Sequence, residues 1–411
     1  MSKLALKGGK PVAKDVKVPQ WPVYDEKDKK AILEVLESRK WCRLYPGSIS
    51  EKFEQAFAEF QDAKYGITVA NGTVALELAL KTLGIGEGDE VLVPACTFIA
   101  TASAVTEVGA IPVFVDIHPE TYQIDPEEIE KNITERTRAI MAVHYGGYPV
   151  DFDRILPLVE KHNLFLIEDC AHAHGTEWKG RKVGAIGHMG CFSFQESKSL
   201  TSGEGGIVLT NDEELAEEAR LIHNIGRVIG RPGYEHYILS SNYRLSELQS
   251  ALLLTAMPRL EEQVDYKDHT GRFLKEQLAE IGGIDPLKPD SRITKRGYYY
   301  IILRYDKEEF GGLPRDLFLE ALRAEGIPAE EGYGIPLYRQ PAFKKENIEK
   351  AYPRRSCYFP DYGSLYLPVV ERVSSEEQIT LPHQLLLAEE KDIKIVVDAI
   401  LKIKENIHEL I

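Results

Sequence analysis

Short apolar runs alternate with helical patterns along the first half of this chain, and this alternation limits the folds that the chain can adopt. The predicted strands are 66–70, 90–94, 111–116, 139–144 and 164–169, and the predicted helices are 74–83, 97–107, 126–132, 152–162 and 212–223. The strands are apolar at nearly every position, as expected for strands that are buried on both faces. The sequence therefore predicts an α/β fold with a mostly parallel sheet sandwiched by helices.

Small, polar and aromatic residues follow the ends of the predicted strands. In open α/β sheets, ligands bind outside the carboxyl ends of the strands. The residues at or just past such ends are Gly72, Thr73, Phe98, His144, Asp169 and Lys198. We therefore expect a ligand site where these positions meet.

Lys198 follows the apolar run 191–194 and precedes a glycine-rich turn at 203–206 and a second apolar strand at 207–210. Burial of a charged lysine is unfavourable, because desolvation disfavours the ammonium form. A lysine between two apolar strands is therefore either a surface residue with an exposed amine or a reactive amine with a lowered pKa. The polar residues at the neighbouring strand ends favour the reactive amine.

Asp169 follows the apolar run 165–167 and Glu168, and it precedes His172 and His174. Because side chains alternate along a strand, Glu168 is expected on the face opposite to Asp169. Asp169 can be a helix cap, a metal ligand or the partner of a pyridinium nitrogen. The two histidines suggest a metal cluster, but no further His or Cys has ligand spacing, and we predict no metal. A reactive lysine together with such a carboxylate is the minimum requirement for pyridoxal phosphate chemistry.

Two further segments could bind the phosphate of such a cofactor. Asn71, Gly72 and Thr73 form a favourable helix start, whose free N–H groups and dipole attract an anion. A simple N-cap is the alternative for this segment. Ser193 and Gln195 alternate with two phenylalanines, so both polar side chains point to one face of the strand. They either bind phosphate or form the solvated side of an edge strand.

Phe98 lies in the segment 94–101, directly after the second predicted strand. An aromatic ring at a strand end can stack on a flat cofactor ring. Core packing at the start of the next helix is the alternative that its spacing allows as well.

Composition and charge argue against several classes of protein. The formal charge of −15 argues against a nucleic-acid surface, which needs clustered cations. The five cysteines show no CxxC pair, which argues against disulfides or a zinc site and favours a reducing compartment. The first ten residues lack the apolar run of a signal peptide, and no segment approaches the roughly 20 apolar residues of a membrane helix. We expect a cytoplasmic protein with no membrane or nucleic-acid partner.

The chain of 411 residues exceeds one ordinary core, so two domains are expected. A long helical pattern begins at residue 246, is predicted to break at Pro258, and resumes to about residue 281. We place the domain boundary within it. The expected units are an N-terminal arm (1–24), a large cofactor-binding domain (25–260) and a smaller α+β domain (261–411).

Taken together, these segments resemble the DegT/StrS sugar aminotransferases, which are fold-type I pyridoxal phosphate enzymes. The segments that carry the resemblance are 71–73, 168–175, 192–206 and 242–244, and the likeness extends over nearly the whole chain. The resemblance implies a fold-type I PLP-dependent transferase that binds pyridoxal 5'-phosphate. It also implies a homodimer with shared active sites, in which the irregular segment 226–241 reaches across to the other subunit.

The resemblance implies a role for each site residue. Lys198 would bind the cofactor aldehyde and move a proton during catalysis, and Asp169 would bind the pyridine nitrogen. Phe98 would stack on one face of the ring, Ala171 would pack on the other, and His172 would lie near the ring oxygen. The residues that would hold the phosphate are Gly72, Thr73, Ser193 and Gln195, together with Asn242 from the second subunit.

This sequence differs at two positions from many family members that act on nucleotide-linked sugars. Those members carry His or Tyr at the position of Gln195 and Asn at the position of Ser199. The pattern is similar to the branch that contains glutamine:scyllo-inosose aminotransferases and aminohydroxybenzoate synthases. We therefore expect a ping-pong transfer of an amino group from glutamine or glutamate to a keto-cyclitol or keto-sugar. The alternatives are a nucleotide-linked keto-sugar aminotransferase, a dehydratase like aminohydroxybenzoate synthase, and a regulatory protein that keeps the fold without catalysis.

Overall fold

The strands form one large sheet and two small ones. The computed structural model describes residues 3–14, 18–231, 233–355 and 359–411. Within these residues the strands are β1 (Tyr65–Val69), β2 (Glu90–Pro94), β3 (Ile111–Val115), β4 (Thr137–Val143), β5 (Phe165–Asp169), β6 (Glu177–Trp178), β7 (Arg181–Lys182), β8 (Met189–Ser193), β9 (Gly206–Thr210), β10 (Ile284–Pro286), β11 (Ile293–Lys295), β12 (Tyr300–Tyr305) and β13 (Gln378–Pro382). The large sheet has the order β1-β9-β8-β5-β4-β2-β3.

Helices follow most of these strands. In the described ranges they are α1 (Glu26–Ser38), α2 (Ile49–Phe60), α3 (Gly72–Thr82), α4 (Ala100–Glu107), α5 (Pro126–Asn132), α6 (Phe152–His162), α7 (Glu213–His223), α8 (Glu247–Leu278), α9 (Arg315–Ala324), α10 (Lys345–Ala351), α11 (Pro368–Arg372) and α12 (Glu390–Glu405). Several begin at a residue whose side-chain oxygen accepts a free N–H group of the first turn. These caps are Asp25, Ser48, Asn71, Asp125, Asp212 and Ser246. Across the same ranges, every helix is too short or too polar to cross a bilayer.

The large sheet is mostly parallel and is buried on both faces, as the sequence predicted. Strand β9 runs antiparallel to its neighbours β1 and β8, and the other neighbouring pairs are parallel. Consecutive strand residues enter different cores, because side chains alternate across the sheet. One core contains Val93, Met141 and Ile167, and the other contains Leu92, Ile140 and Leu166.

A cluster of aromatic rings fixes β8 against α2. Phe192 and Phe194 are fully buried, and both contact the ring of Phe57 in edge-to-face geometry, with centroid distances of 5.1 and 5.2 Å. The prediction that the phenyl groups of this segment enter the core is therefore confirmed. Because the side chains alternate, Ser193 then points to the opposite side, toward the strand-end region.

The C-terminal part builds a smaller α+β unit. Strands β10, β12 and β13 form an antiparallel sheet, which shares a core with α9, α12 and the end of α8. Leu4 near the N-terminus also belongs to this core, whereas Phe343 and Tyr362 pack on Phe114 of the large sheet. The domain limits at residues 24 and 260 stay a prediction.

The predicted break at Pro258 is wrong, because α8 is one continuous helix of 32 residues. A proline inside a helix removes the hydrogen bond to the carbonyl four residues earlier, here that of Leu254, and costs about 3 kcal/mol or more. Packing offsets this cost: α8 contacts both α1 and α2, and it buries Leu253, Leu260 and Val264. Tertiary contacts therefore override the local preference for a break.

We expect Phe57→Ala to lower the free energy of unfolding by about 3–5 kcal/mol, because it removes a fully buried ring and leaves a cavity. Urea denaturation followed by circular dichroism measures this change. Leu33→Ala is the control, since Leu33 is largely exposed on α1. Equal effects of the two substitutions would contradict the packing described above.

Candidate active site

The carboxyl ends of several strands lie side by side at one edge of the large sheet. Val143 of β4 pairs with Asp169 of β5, which pairs with Cys191 of β8. At the end of β8, Ser193 pairs with Gly206 of β9. Gly206 in turn pairs with Val69 at the end of β1. The residues that follow these strands therefore meet at one edge, as expected from the sequence.

Asp169 is a buried carboxylate with defined partners. Its Oδ2 accepts a hydrogen bond from the hydroxyl of Thr101 (2.9 Å), and its Oδ1 accepts one from the backbone N–H of Ala171 (3.2 Å). Thr101 is held in turn by the hydroxyl of Thr97 at 2.9 Å. Burial raises the pKa of Asp169 above its ordinary value, while these hydrogen bonds and the Lys198 ammonium act to lower it.

Lys198 lies in the turn after β8, where its backbone N–H donates to the carbonyl of Gln195 (2.8 Å). Its Nζ lies 4.1 Å from the centroid of the Tyr299 ring. Burial lowers the pKa of the Lys198 amine to about 8, although the Asp169 carboxylate acts to raise it. Lys198 therefore has more free amine near neutral pH than an ordinary lysine does.

His172 lies beside the same tyrosine. Its ring stacks on Tyr299 with a centroid distance of 4.2 Å, and its Nδ1 accepts a hydrogen bond from the backbone N–H of Gly146 (3.4 Å). Burial lowers the pKa of His172 well below its ordinary value, and the nearby Lys198 ammonium lowers it further. The ring is therefore neutral, and its proton is on Nε2, which is a hydrogen-bond donor.

Glu168 has a structural role on the other side of β5. Its carboxylate accepts hydrogen bonds from the backbone N–H groups of Gly184, Ile186 and Gly187 at 2.5–2.9 Å. It also lies 3.1 Å from Nε2 of His144. His144 Nδ1 accepts from a backbone N–H, so Nε2 is the protonated nitrogen and donates to Glu168.

These contacts bear on the question of a metal site. In the described part of the chain, the ligand-type atoms of His144, Glu168 and Cys170 come within 4.8 Å of one another. The Glu168 oxygens and both His144 nitrogens are already used in hydrogen bonds, which explains this cluster without an ion. His174 is a core residue between the rings of Phe57 and Phe192, where burial lowers its pKa to about 3.

The start of α3 forms a cradle beside β8. Asn71 caps the helix by accepting a hydrogen bond from the N–H of Val74 (2.9 Å). A Cβ atom added to Gly72 would lie 2.6 Å from Cβ of Ser193, so only glycine allows this approach. The N–H groups of Gly72 and Thr73 belong to the first turn and have no helical acceptor. Such a helix start next to a serine hydroxyl fits a phosphate group.

Three predicted site residues flank this edge. Phe98 is 55% exposed, so the alternative of core packing is wrong, and its ring remains available at the end of β2. Ala171 is half-buried next to Asp169. Gln195 directs its side-chain oxygen to Ser197, accepting from the backbone N–H (2.9 Å) and the hydroxyl (2.7 Å).

Asn242 directly precedes Tyr243, whose carbonyl accepts a hydrogen bond from the N–H of Ala70 just after β1 (2.8 Å). Asn242 is exposed, and its side-chain oxygen accepts a hydrogen bond from the N–H of Arg244 (3.2 Å). The preceding segment exposes Tyr234 and Leu239 almost completely. Among the described residues of a single chain, no side-chain hydrogen bond or ring contact joins Asn242 to Lys198.

Sequence reasoning missed two residues of the site. Thr101, which bonds Asp169, lies one helical turn after Phe98, and this spacing could have identified it. Tyr299, which contacts Lys198 and His172, had no comparable signal. It lies directly before β12 in the C-terminal unit, and only the tertiary fold brings it to the large sheet.

The site combines an amine with a lowered pKa, a buried carboxylate and a helix start shaped for a phosphate. These three features fit pyridoxal 5'-phosphate and place the chain in the class of fold-type I pyridoxal phosphate enzymes. Residues 22–386 match the DegT/DnrJ/EryC1/StrS aminotransferase family. The chain belongs to this family and is a PLP-dependent aminotransferase.

Known proteins resemble the chain over almost its full length. A protein of Micromonospora echinospora, provisionally named L-glutamine:3-amino-2,3-dideoxy-scyllo-inosose aminotransferase, is 38% identical over 420 residues, covering 98% of each chain. The L-glutamine:scyllo-inosose aminotransferase of Streptomyces griseus is 35% identical over 428 residues, covering 100% of this chain and 99% of that protein. The crystal structure of 3-amino-5-hydroxybenzoic acid synthase superimposes with a TM-score of 0.84 at 33% identity, covering 95% and 100%.

We expect the rate of cofactor loading to rise with pH through a midpoint near 8. The free amine attacks the aldehyde, and burial lowers the pKa of Lys198 to about 8 from 10.5. Stopped-flow absorbance after mixing cofactor-free protein with pyridoxal phosphate measures the rate. The same rate is measured for lysine in solution with its α-amino group blocked, and this comparison corrects for ionisation of the cofactor. A midpoint as high as that of the free lysine would contradict the assignment.

Proposed function

We propose that this aminotransferase moves the amino group of glutamine to the ketone of a cyclitol. The observation that carries the proposal is the pair of glutamine-dependent inosose aminotransferases, which match the chain from end to end at 35–38% identity. The site supplies the chemistry that such a transfer needs. A ping-pong order follows, because one cofactor must take the nitrogen from the first substrate before it gives the nitrogen to the second.

Three residues would act on the cofactor ring and on the reacting carbon. The bound cofactor supplies an aldehyde for the amino group and a ring that withdraws electrons. Lys198 would bind that aldehyde through Nζ and then hold and move the proton. Asp169 would face the pyridine nitrogen, because a buried carboxylate stabilises an opposite positive charge. His172 would donate its Nε2 proton to the ring oxygen.

The remaining residues would hold and orient the cofactor. Phe98 would stack on one face of the ring, and Ala171 would pack on the other. The phosphate would bind at the start of α3. Its donors would be the N–H groups of Gly72 and Thr73, the hydroxyl of Ser193, the amide of Gln195, and Asn242 from a second subunit.

A cleft next to Lys198 favours a cyclitol over a nucleotide-linked sugar. It has a volume of about 740 Å³, and its lining includes Ser197 and Tyr299. The carboxylates of Glu330 and Glu331 and the side chain of Arg323 also line the cleft. Two carboxylates repel a diphosphate, whereas they accept hydrogen bonds from the hydroxyl groups of a neutral ring.

We expect glutamine to abolish the visible absorbance of the cofactor-loaded protein, and scyllo-inosose to restore it. Absorbance spectra after each addition measure both half-reactions. Lys198→Ala is the control and should show neither the visible band nor turnover. A nucleotide-linked keto-sugar should restore the band more slowly, since the cleft carboxylates repel its phosphates. Faster restoration by that sugar would contradict the proposed acceptor.

The similarity to 3-amino-5-hydroxybenzoic acid synthase gives a second candidate, which is a dehydratase with the same site. Mass spectrometry of the products separates the two activities. Transfer from glutamine that carries 15N in its α-amino group places the label on the cyclitol, whereas elimination removes water from the substrate and leaves glutamine unchanged. An unlabelled product that has lost water would identify the dehydratase.

A homodimer with shared sites is part of the proposal. Asn242 would bind the phosphate of the other subunit, because it is exposed and follows a segment with exposed apolar side chains. Exposed rings and aliphatic groups of this kind are typical of protein interfaces. The segment 226–241 would then reach across the dimer.

A complementation experiment tests this arrangement. Lys198→Ala and Asn242→Asp should each be strongly impaired, the second because a carboxylate repels the phosphate. In a mixed dimer, one site would combine the intact Lys198 of one subunit with the intact Asn242 of the other. Random mixing should recover about a quarter of the wild-type activity. Activity equal to the sum of the two separate variants would show that Asn242 does not act across the interface.

A cytoplasmic location is also part of the proposal. Cys42, Cys96, Cys170 and Cys191 are free thiols, as is usual in a reducing compartment. Cys357 lies outside the described residues.

A further inference from the structure

Lys267 is a buried lysine in the middle of α8. Its side chain is 1% exposed, and Nζ donates hydrogen bonds to the carbonyls of Gly297 (2.7 Å) and Tyr298 (2.8 Å) and to the hydroxyl of Ser199 (2.9 Å). Burial lowers the pKa of Lys267 to about 7, and no carboxylate of the described residues acts against this effect. A buried amine without an acidic partner is unfavourable unless hydrogen bonds offset the cost of its desolvation, and these three bonds do so here.

The three acceptors belong to two segments that meet at Lys198. Ser199 directly follows Lys198 in the turn after β8. Gly297 and Tyr298 directly precede Tyr299, whose ring lies 4.1 Å from Lys198 Nζ and whose hydroxyl contacts Ser197 at 2.7 Å. The Lys267 amine therefore connects the segment that carries Lys198 with the segment that carries Tyr299, the aromatic neighbour of Lys198.

Close packing leaves the segment at residues 297–298 little freedom. A Cβ atom on Gly271 of α8 would lie 2.6 Å from the ring of Tyr298. A Cβ atom on Gly297 would lie 2.0 Å from the carbonyl oxygen of His174. The Lys267 amine donates hydrogen bonds to this tightly packed segment and to Ser199. These bonds therefore fix the position of the turn that carries Lys198 and Ser199, here called the lysine turn, relative to a rigid support.

The connection can persist whether or not the amine is charged. The ammonium donates three protons to three acceptors. A neutral amine still donates two protons to the carbonyls, and its lone pair can accept the hydroxyl proton of Ser199. The serine that follows Lys198 is the one partner of the three that can reverse its role. Methionine at position 267 has a similar length but offers none of these bonds.

We propose that Lys267 is a positioning residue for Lys198: it ties the lysine turn and the Tyr299 segment to α8. This inference rests on the proposed role of Lys198 as the reacting amine. Its physical effect is to keep the Lys198 side chain half-buried against Tyr299. Loss of the tie lets water reach the Lys198 amine and favours its ammonium form.

In the cofactor-loaded protein, Lys267→Met should lower kcat about tenfold or more, because a small misplacement of the reacting amine slows the chemistry. KM for glutamine should stay within about twofold. In the full chain before cofactor loading, the pH midpoint for acetylation of Lys198, followed by peptide mass spectrometry, should rise from about 8 toward 10.5.

Lys275→Met is the matched control, since Lys275 lies two turns further along α8 and is only partly buried. It should leave kcat and the Lys198 midpoint unchanged. A folded Lys267→Met protein with an unchanged midpoint would overturn the inference, even if kcat fell, because a general structural defect would then explain the loss.

If Lys267→Met does not fold, Ser199→Ala decides the question. It removes one of the three bonds and should shift the same midpoint upward by a smaller amount. Wild-type kcat and midpoint in Ser199→Ala would then overturn the inference. Failure of the proposed role of Lys198 is distinguishable, because it would appear as full activity in Lys198→Ala, a result that does not depend on Lys267.

Discussion

The placement of two opposite charges, the half-buried Lys198 and the buried Asp169, at one edge of the large sheet is the constraint on which the candidate site depends. Burial lowers the pKa of the amine to about 8 and raises that of the carboxyl group, and each charge acts against the shift of the other. Such burial is tolerated only when polar partners surround the charged groups. Thr101 and the N–H of Ala171 provide these partners for Asp169, which is why the strand ends are the polar part of an otherwise apolar sheet.

Two other buried charged groups hold the scaffold and take no direct part in the proposed chemistry. Glu168 accepts hydrogen bonds from three backbone N–H groups on the face of β5 opposite to Asp169. Lys267 donates hydrogen bonds to two carbonyls and to the hydroxyl of Ser199 in the lysine turn. In both cases most of the partners are backbone atoms, which side-chain substitutions do not remove. The position of a reacting side chain is thereby tied to the main chain of distant segments.

Much of the fold follows from local pattern, and its exceptions have physical reasons. Strand β2 and helices α5 and α6 have the predicted limits, because apolar periodicity and turn residues coincide there. Pro258 does not break α8, because packing on α1 and α2 outweighs the lost hydrogen bond. Phe98 is exposed although its spacing also allowed a core position, and it precedes α4, which begins at Ala100.

The sequence by itself determined the parallel sheet, the amine and carboxylate at its edge, and the glycine-containing helix start. These features are set by residue type and by spacing of a few residues, which act locally. Only the tertiary structure decided which segments from the C-terminal part complete the site. Tyr299 reaches Lys198, and Lys267 reaches Ser199, across long stretches of chain. Such contacts depend on how separate elements pack, and no local pattern encodes that packing.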